Sequence, residues 1–309
     1  MKNKTSFSGY FFAVFIIILV SATPAYAQTT DSVSTLSPEA REAFNRGISS
    51  AKKHDYLSAI RDFRDARKTQ DWRSRSTTEP DAPMIYLNLG LAESKIPGRE
   101  LRAICWYETY LTAYPHAPNA AAVKDQVELL DSKSQTNISR FIQFVQDAAA
   151  KIKPDKEKIV GMDHYPTYDG DNAMVQVSAL WARIGDFSAA NRAIGLIQSA
   201  NDWLGIKKGA EKSLADAQAK FAANKMNKAY YYGDITSFYQ WMRLVDEGHN
   251  FNNDGLLNKP VFLDLNGYLK SLPSYDSPQK YFDALTTIAW DLVHGQEDID
   301  NMLKKLAGQ

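Results

Sequence analysis

Residues 47–66 read GISSAKKHDYLSAIRDFRDA, and residues 86–107 read YLNLGLAESKIPGRELRAICWY. In both stretches a glycine is followed, across a polar turn, by an alanine, and the alanine by an aromatic residue one helical turn later. The first set is Gly47, Ala59 and Phe63; the second is Gly90, Ala103 and Tyr107. Small side chains at the glycine and alanine positions let two antiparallel helices touch. An aromatic ring four residues after the alanine fills the space beside that contact. Tyr56 and Ala66 complete the first pattern, and Tyr86 and Tyr110 the second. Pro115 closes the second, because proline cannot continue a helix. Apolar residues three and four apart carry this helical rhythm from residue 37 to 152, and no run of alternating apolar and polar residues appears anywhere. The pattern predicts an all-α protein of stacked antiparallel helix hairpins with a helical C-terminal region.

Working outward, Ser37-Pro38-Glu39 is a helix start: serine caps, proline suits the first helical position, and glutamate favours the positive end of the dipole. Asn119 is placed to cap a helix over 120–131, whose stripe is Ala122, Val123, Val127 and Leu130. A second helix is expected over 136–152, with Ile138, Phe141, Ile142, Phe144 and Val145 as its apolar residues. Residues 153–170, KPDKEKIVGMDHYPTYDG, hold two prolines and two glycines. They read as a linker between a repeat domain at 37–152 and a second helical region at 171–309. There Ala179, Ala182, Gly185-Asp186-Phe187, Ala190 and Ile194 echo His54-Asp55-Tyr56 and Ala59-Ile60. Asn224-Lys225-Met226 with Ala229 is a weaker echo. Residues 171–247 therefore read as degenerate hairpins and 249–258 as a polar loop. Three short helices come next, near 260–272, 277–294 and 296–307, the middle one opened by Ser277-Pro278.

Over about residues 38–116 the chain resembles two degenerate units of a tetratricopeptide repeat. The resemblance implies paired helices stacked in a right-handed superhelix, with the first helix of each unit lining a concave face. On that face it places Arg41, Phe44, Ile48 and Lys52, then Met84, Leu87, Leu91 and Lys95, an apolar row with a basic rim. These residues, with Asn88, form the expected partner groove, to be covered by the chain's own helices or by a partner's helix or peptide. The chain also departs from the family. Gly47 and Gly90 lie further apart than the family period of about 34 residues. The surplus falls in Asp71–Pro83, which reads as a polar loop; Asp71 stands where the closing proline belongs and Ser50 where an aromatic belongs. Phe44 and Ile48 occupy the places of a carboxylate clamp's lysine and asparagine, which speaks against a chaperone adaptor of that kind.

Motifs for chemistry are sparse. Asp163-His164-Tyr165 with Asp169 and Asp171 offers ligands for a metal, yet the same carboxylates open a helix as caps. Asn250, Asn252, Asp254-Gly255 and Asn258 partly fit a calcium loop. However, Val261 stands where the bidentate glutamate is required, so the stretch reads as a solvated turn. The five histidines (His54, His116, His164, His249 and His294) form no metal-binding pair, and Cys105 sits in an apolar pattern as a small hydrophobe. Tyr230-Tyr231-Tyr232, Phe238, Tyr239 and Trp241 crowd one stretch. Tyr231, Ile235, Phe238, Met242 and Val245 make a buried stripe at helical spacing, and the same rings could line a sugar-binding groove. No catalytic, cofactor-binding or metal residue is assigned. The expectation is a non-enzymatic protein-binding chain, with an envelope glycan-binding or hydrolytic protein as the alternative.

The chain has 309 residues, 36 Lys+Arg against 36 Asp+Glu, and one cysteine. Zero net charge gives no electrostatic reason to expect nucleic acid or an anionic membrane, and one cysteine excludes an intramolecular disulfide framework. Residues 1–27 carry Lys2 and Lys4, an apolar run from Tyr10 to Val20, and Ala25-Tyr26-Ala27. That combination is a secretory signal, too short to span a bilayer comfortably, and it predicts a bacterial periplasmic or secreted protein with a loose tail at 28–36. The mature chain is expected to begin at Gln28; N-terminal sequencing of the exported protein checks this, and an intact Met1–Ala27 segment would refute it.

Overall fold

The computed structural model describes residues 36–74, 82–152, 169–198, 205–222 and 265–306. Among them it is all helical. In chain order the helices are α1 (Pro38–Lys52), α2 (Tyr56–Ser74), α3 (Pro83–Ser94), α4 (Glu100–Ala113) and α5 (Ala120–Ala149). They continue as α6 (Asp169–Arg183), α7 (Phe187–Gly195), α8 (Ile206–Ala222), α9 (Leu265–Ser271) and α10 (Pro278–Leu306). α1 pairs with α2, α3 with α4, and α6 with both α7 and α8; α2 meets α3, joining the first two hairpins.

The first hairpin begins as its sequence dictates. The Ser37 side chain accepts a hydrogen bond from the Ala40 amide at 3.2 Å, with Pro38 in the first turn. Its turn is built on His54, held at φ 61°. The His54 amide donates to the Ala51 carbonyl at 2.9 Å and the Asp55 amide to Ser50 at 3.0 Å. These two bonds satisfy carbonyls that the end of α1 would otherwise leave open. Asp55 then accepts from the Ser58 amide at 3.1 Å and opens α2. The α6–α7 turn repeats the device. Gly185 takes φ 81°, and its amide donates to Ala182 at 3.1 Å. The Asp186 amide donates to Trp181 at 3.0 Å, while the Asp186 carboxylate accepts from the Ala189 amide at 2.8 Å. His54-Asp55-Tyr56 and Gly185-Asp186-Phe187 are thus one turn built twice.

The glycine–aromatic pairs leave no room for a side chain at the glycine. A Cβ on Gly47 would lie 2.5 Å from Phe63 Cε1, and one on Gly90 would lie 2.6 Å from Tyr107 Cδ1. Gly185 stands in the same relation to Phe221 of α8, at 2.8 Å. Ala59, Phe63, Ala66, Tyr86, Ala103 and Tyr107 are all buried around these contacts. Phe44 packs on Phe63 with ring centroids 5.5 Å apart, and Tyr86 stacks on Trp106 at 6.0 Å. Tyr56 is half-buried and Pro115 exposed beyond the end of α4.

Several boundaries differ from the sequence reading. α2 runs through Asp71 to Ser74, so the expected loop starts later. Residues 120–149 form one 30-residue helix, not two. Nothing at 132–135 breaks it: the interval lacks glycine and proline, and Thr136 Oγ1 returns a bond to the Ser132 carbonyl at 2.9 Å. Its buried stripe passes through Ser134 without a gap, because Ser134 Oγ donates to Gln296 Oε1 at 3.2 Å. Asn119 makes no cap bond to α5; its carboxamide instead accepts from the Tyr110 hydroxyl at 2.6 Å. Residues 278–306 likewise form one helix, with Gly295 buried inside it.

α4 packs on α5, α5 on α6, and α10 lies against α5 and α6 with a smaller contact to α4. The buried apolar residues before and after the 153–170 segment belong to one continuous cluster. Polar ties pin the layers. Glu93 of α3 and Arg102 of α4 are both fully buried and meet at 3.2 Å. Arg99 reaches the other Glu93 oxygen at 3.0 Å. Such a pair fixes register, since removing one partner strands a buried charge at a cost of ~3–5 kcal/mol.

Gly47→Ala sets helix propensity against packing. The methyl favours the helix by ~1 kcal/mol, while a Cβ pressed onto Phe63 costs ~1–3 kcal/mol. Net destabilisation is expected in chemical denaturation, with partial recovery in Gly47→Ala/Phe63→Leu; a stabilised single variant would contradict the contact.

Candidate functional site

The residues that the repeat resemblance assigns to a concave groove are mostly core. Phe44, Ile48, Met84, Leu87 and Asn88 are buried; Phe44 is 0% and Leu87 3% exposed. Asn88 spends its amide on the Met84 carbonyl of its own helix, at 2.8 Å. Arg41 and Leu91 are half-buried, and Lys52 and Lys95 exposed. Arg41 Nη2 donates to the Leu36 carbonyl at 3.0 Å, tying the chain entering α1 to that helix. The apolar row therefore turns mostly inward, with Lys52 and Lys95 its exposed ends.

Among the described residues a concavity lies elsewhere, between α6, α8 and α10. Its volume is ≈ 380 Å³. Small residues create it. Ala179 and Ala182 of α6 face Ala210, Ser213 and Ala217 of α8, so the two helix surfaces leave space between them. Trp290 of α10 forms a third wall, half-buried, with His294 tilted against its indole at 5.4 Å. Arg183, Asp216 and Lys220 carry the charges around the cleft.

The walls are held by polar contacts that sequence inspection does not assign. Arg183 of α6 grips Glu297 of α10 with both prongs of its guanidinium, its Nη2 3.1 Å from Oε2 and its Nε bonded to Oε1. Trp181 Nε1 donates to Gln146 Oε1 at 2.9 Å, fastening α6 to α5. Gln296 Nε2 donates to Asp131 at 2.8 Å and to Asp300 at 3.0 Å, fastening α10 to α5. The one signal of the cleft in the sequence is the small residues of α8 at a spacing of three and four, Ala210, Ser213 and Ala217. Trp290 gives no signal of its own.

Of the other candidates, Asp171 is buried and accepts from the Gln198 amide at 3.0 Å. It thus ties the start of α6 to the chain leaving α7. Asp163, His164 and Tyr165, the aromatic stretch 230–241 and the turn 250–258 lie outside the described residues, as do the 1–27 segment and the Asn224 echo. Among the described residues no group of three His, Cys, Asp or Glu side chains is placed to hold a metal. Nor is any helix among them long and apolar enough to cross a membrane. Cys105 is fully buried. On the outer surface, Phe144 of α5 is 43% exposed. It meets Tyr281 edge-on at 6.4 Å, and Tyr281 in turn meets Tyr275 at 5.9 Å.

Burial shifts two ionisable groups of α4. The Glu108 carboxyl is raised above its usual range by desolvation, against the opposing pull of Lys124. The Tyr110 phenol is raised by burial, partly offset by its bond to Asn119. Comparison with known proteins finds no matching family model, no matching curated protein and no matching solved structure.

Glu108 predicts a pH dependence of stability. A carboxyl whose folded pKa is raised holds its proton more tightly in the native state. Its contribution is present below the ordinary value of 4.5 and lost as the pH rises through the folded pKa. Glu108→Gln should therefore be more stable than the parent at neutral pH and equal to it well below that value. Thermal melts across pH check this, and a neutral-pH loss of stability would reverse the assignment.

Proposed function

We propose that the chain is an exported, non-enzymatic helical-hairpin protein of the tetratricopeptide type that binds another protein or peptide in the bacterial cell envelope. The leader-like start supports the location, and the doubled glycine–alanine–aromatic pattern supports the class. The surface observation that carries partner binding is the aromatic ledge of Phe144, Tyr281 and Tyr275. Aromatic rings are enriched where proteins meet, because they bury much area at small conformational cost. Here the ledge bridges α5 and α10, two long helices locked together by Gln296, so it offers a partner a rigid surface. This differs from the concave face that the family resemblance suggests, whose apolar residues are committed to the core.

A photo-cross-linking residue at Phe144, with a control at Lys208 on α8, tests this in the native envelope. The expected result is one foreign protein captured at Phe144, absent from the Lys208 control, and lost when Tyr281→Ala is added. Cross-links confined to this chain, or the same set at both positions, would overturn the reading.

A further inference from the structure

The geometry points to a binding site for a neutral saccharide in the cleft between α6, α8 and α10. The site is distinct from the aromatic ledge and does not depend on it. Its volume of ≈ 380 Å³ suits a small ligand rather than a macromolecular segment.

The chemistry of the walls narrows the class. Trp290 lines the cleft, half-buried, with its indole 5.4 Å from the His294 ring. A ring of this kind stacks on the C–H face of a pyranose, which is apolar on its faces and hydroxylated around its edge. The polar groups sit around the same space: the hydroxyls of Ser178 and Ser213, the carboxylate of Asp216 and the ammonium of Lys220. Together they offer both donors and acceptors, as a ligand of hydroxyl groups requires.

The charge balance then argues against an ionic ligand. Arg183 is the largest cation at the cleft, but both prongs of its guanidinium are engaged by Glu297. That leaves Asp216 and Lys220, of opposite sign and one helical turn apart on α8. Lys220 would attract a carboxylate or phosphate, but Asp216 one turn away repels it, so an anionic ligand gains little net attraction to offset its desolvation. A purely apolar ligand would bury these polar groups without partners. A neutral polyol meets both conditions.

The test uses the full mature chain. Glucose, maltose and N,N′-diacetylchitobiose are offered at millimolar concentration in ligand-observed NMR, with decanoate as the charged amphiphile. Binding is expected for at least one of the three sugars, above decanoate, and weakened about tenfold or more by Trp290→Ala. Because Trp290 also packs against the helix core, a second variant works from the open side. Ala179 is exposed at the cleft, and Ala179→Phe fills it without touching a buried position. This variant should abolish binding while leaving the melting temperature close to the parent's. No binding by any of the sugars, binding that survives Ala179→Phe, or a preference for decanoate would each overturn the proposal.

Discussion

An aromatic ring resting on a glycine is the contact on which the rest of the molecule depends. Phe63 on Gly47 and Tyr107 on Gly90 bring the arms of the first two hairpins closer than any side chain at the glycine would permit. That approach converts two weakly helical stretches into a stable pair, since short helices in proteins draw their stability from packing more than from propensity. α2 and α3 then have faces broad enough to meet, and Tyr86 and Trp106 stack within the second hairpin. In the second half Phe221 of α8 also reaches a glycine, but Gly185 sits in the α6–α7 turn and the ring stays exposed.

Tight hairpins present flat helical faces that must be covered, and α5 covers those of α4 and α6. A 30-residue helix is ~45 Å long, enough to touch α4 at one end and α6 at the other while carrying α10 along its side. Its polar residues are not interruptions. Asp131 and Ser134 meet Gln296, and Gln146 meets Trp181, so each of these departures from the apolar stripe is matched by a partner on another helix. This matching matters because a buried polar group without a partner costs more than the bond itself returns. The long helices, and the clamp of Arg183 on Glu297, set the three walls that enclose the cleft.

The apolar row of α1 and α3 illustrates how the same residues can serve two ends. Phe44, Ile48, Met84 and Leu87 have the composition of a docking groove, and also that of a core. Hydrophobic free energy is proportional to area removed from water and indifferent to which surface does the covering. Here the row is buried within the folded chain. Exposed aromatic area is found instead at Tyr114, Phe144 and Phe221, and open volume among the alanines and serines of α6 and α8.

Some of this was determined locally and could be read in the residues. The hairpins of 47–66 and 86–107, the capped start at Ser37 and the recurring Asp-aromatic turn all rest on interactions spanning a few residues or one turn. Their signals are therefore adjacent in the chain. The extent of α5 and α10 was not legible in the same way. Serines at 132 and 134 and a glycine at 295 lower helix propensity without ending a helix, and the bond of Ser134 to Gln296 joins the two stretches in space. Asn119 has the side chain of a helix cap, yet Tyr110 engages it instead. The cleft was the least visible, since Ala179, Ala210, Asp216 and Trp290 come together only after three helices have packed. Short-range order is written in spacing, whereas which face is buried and where space is left depend on partners far apart in the chain.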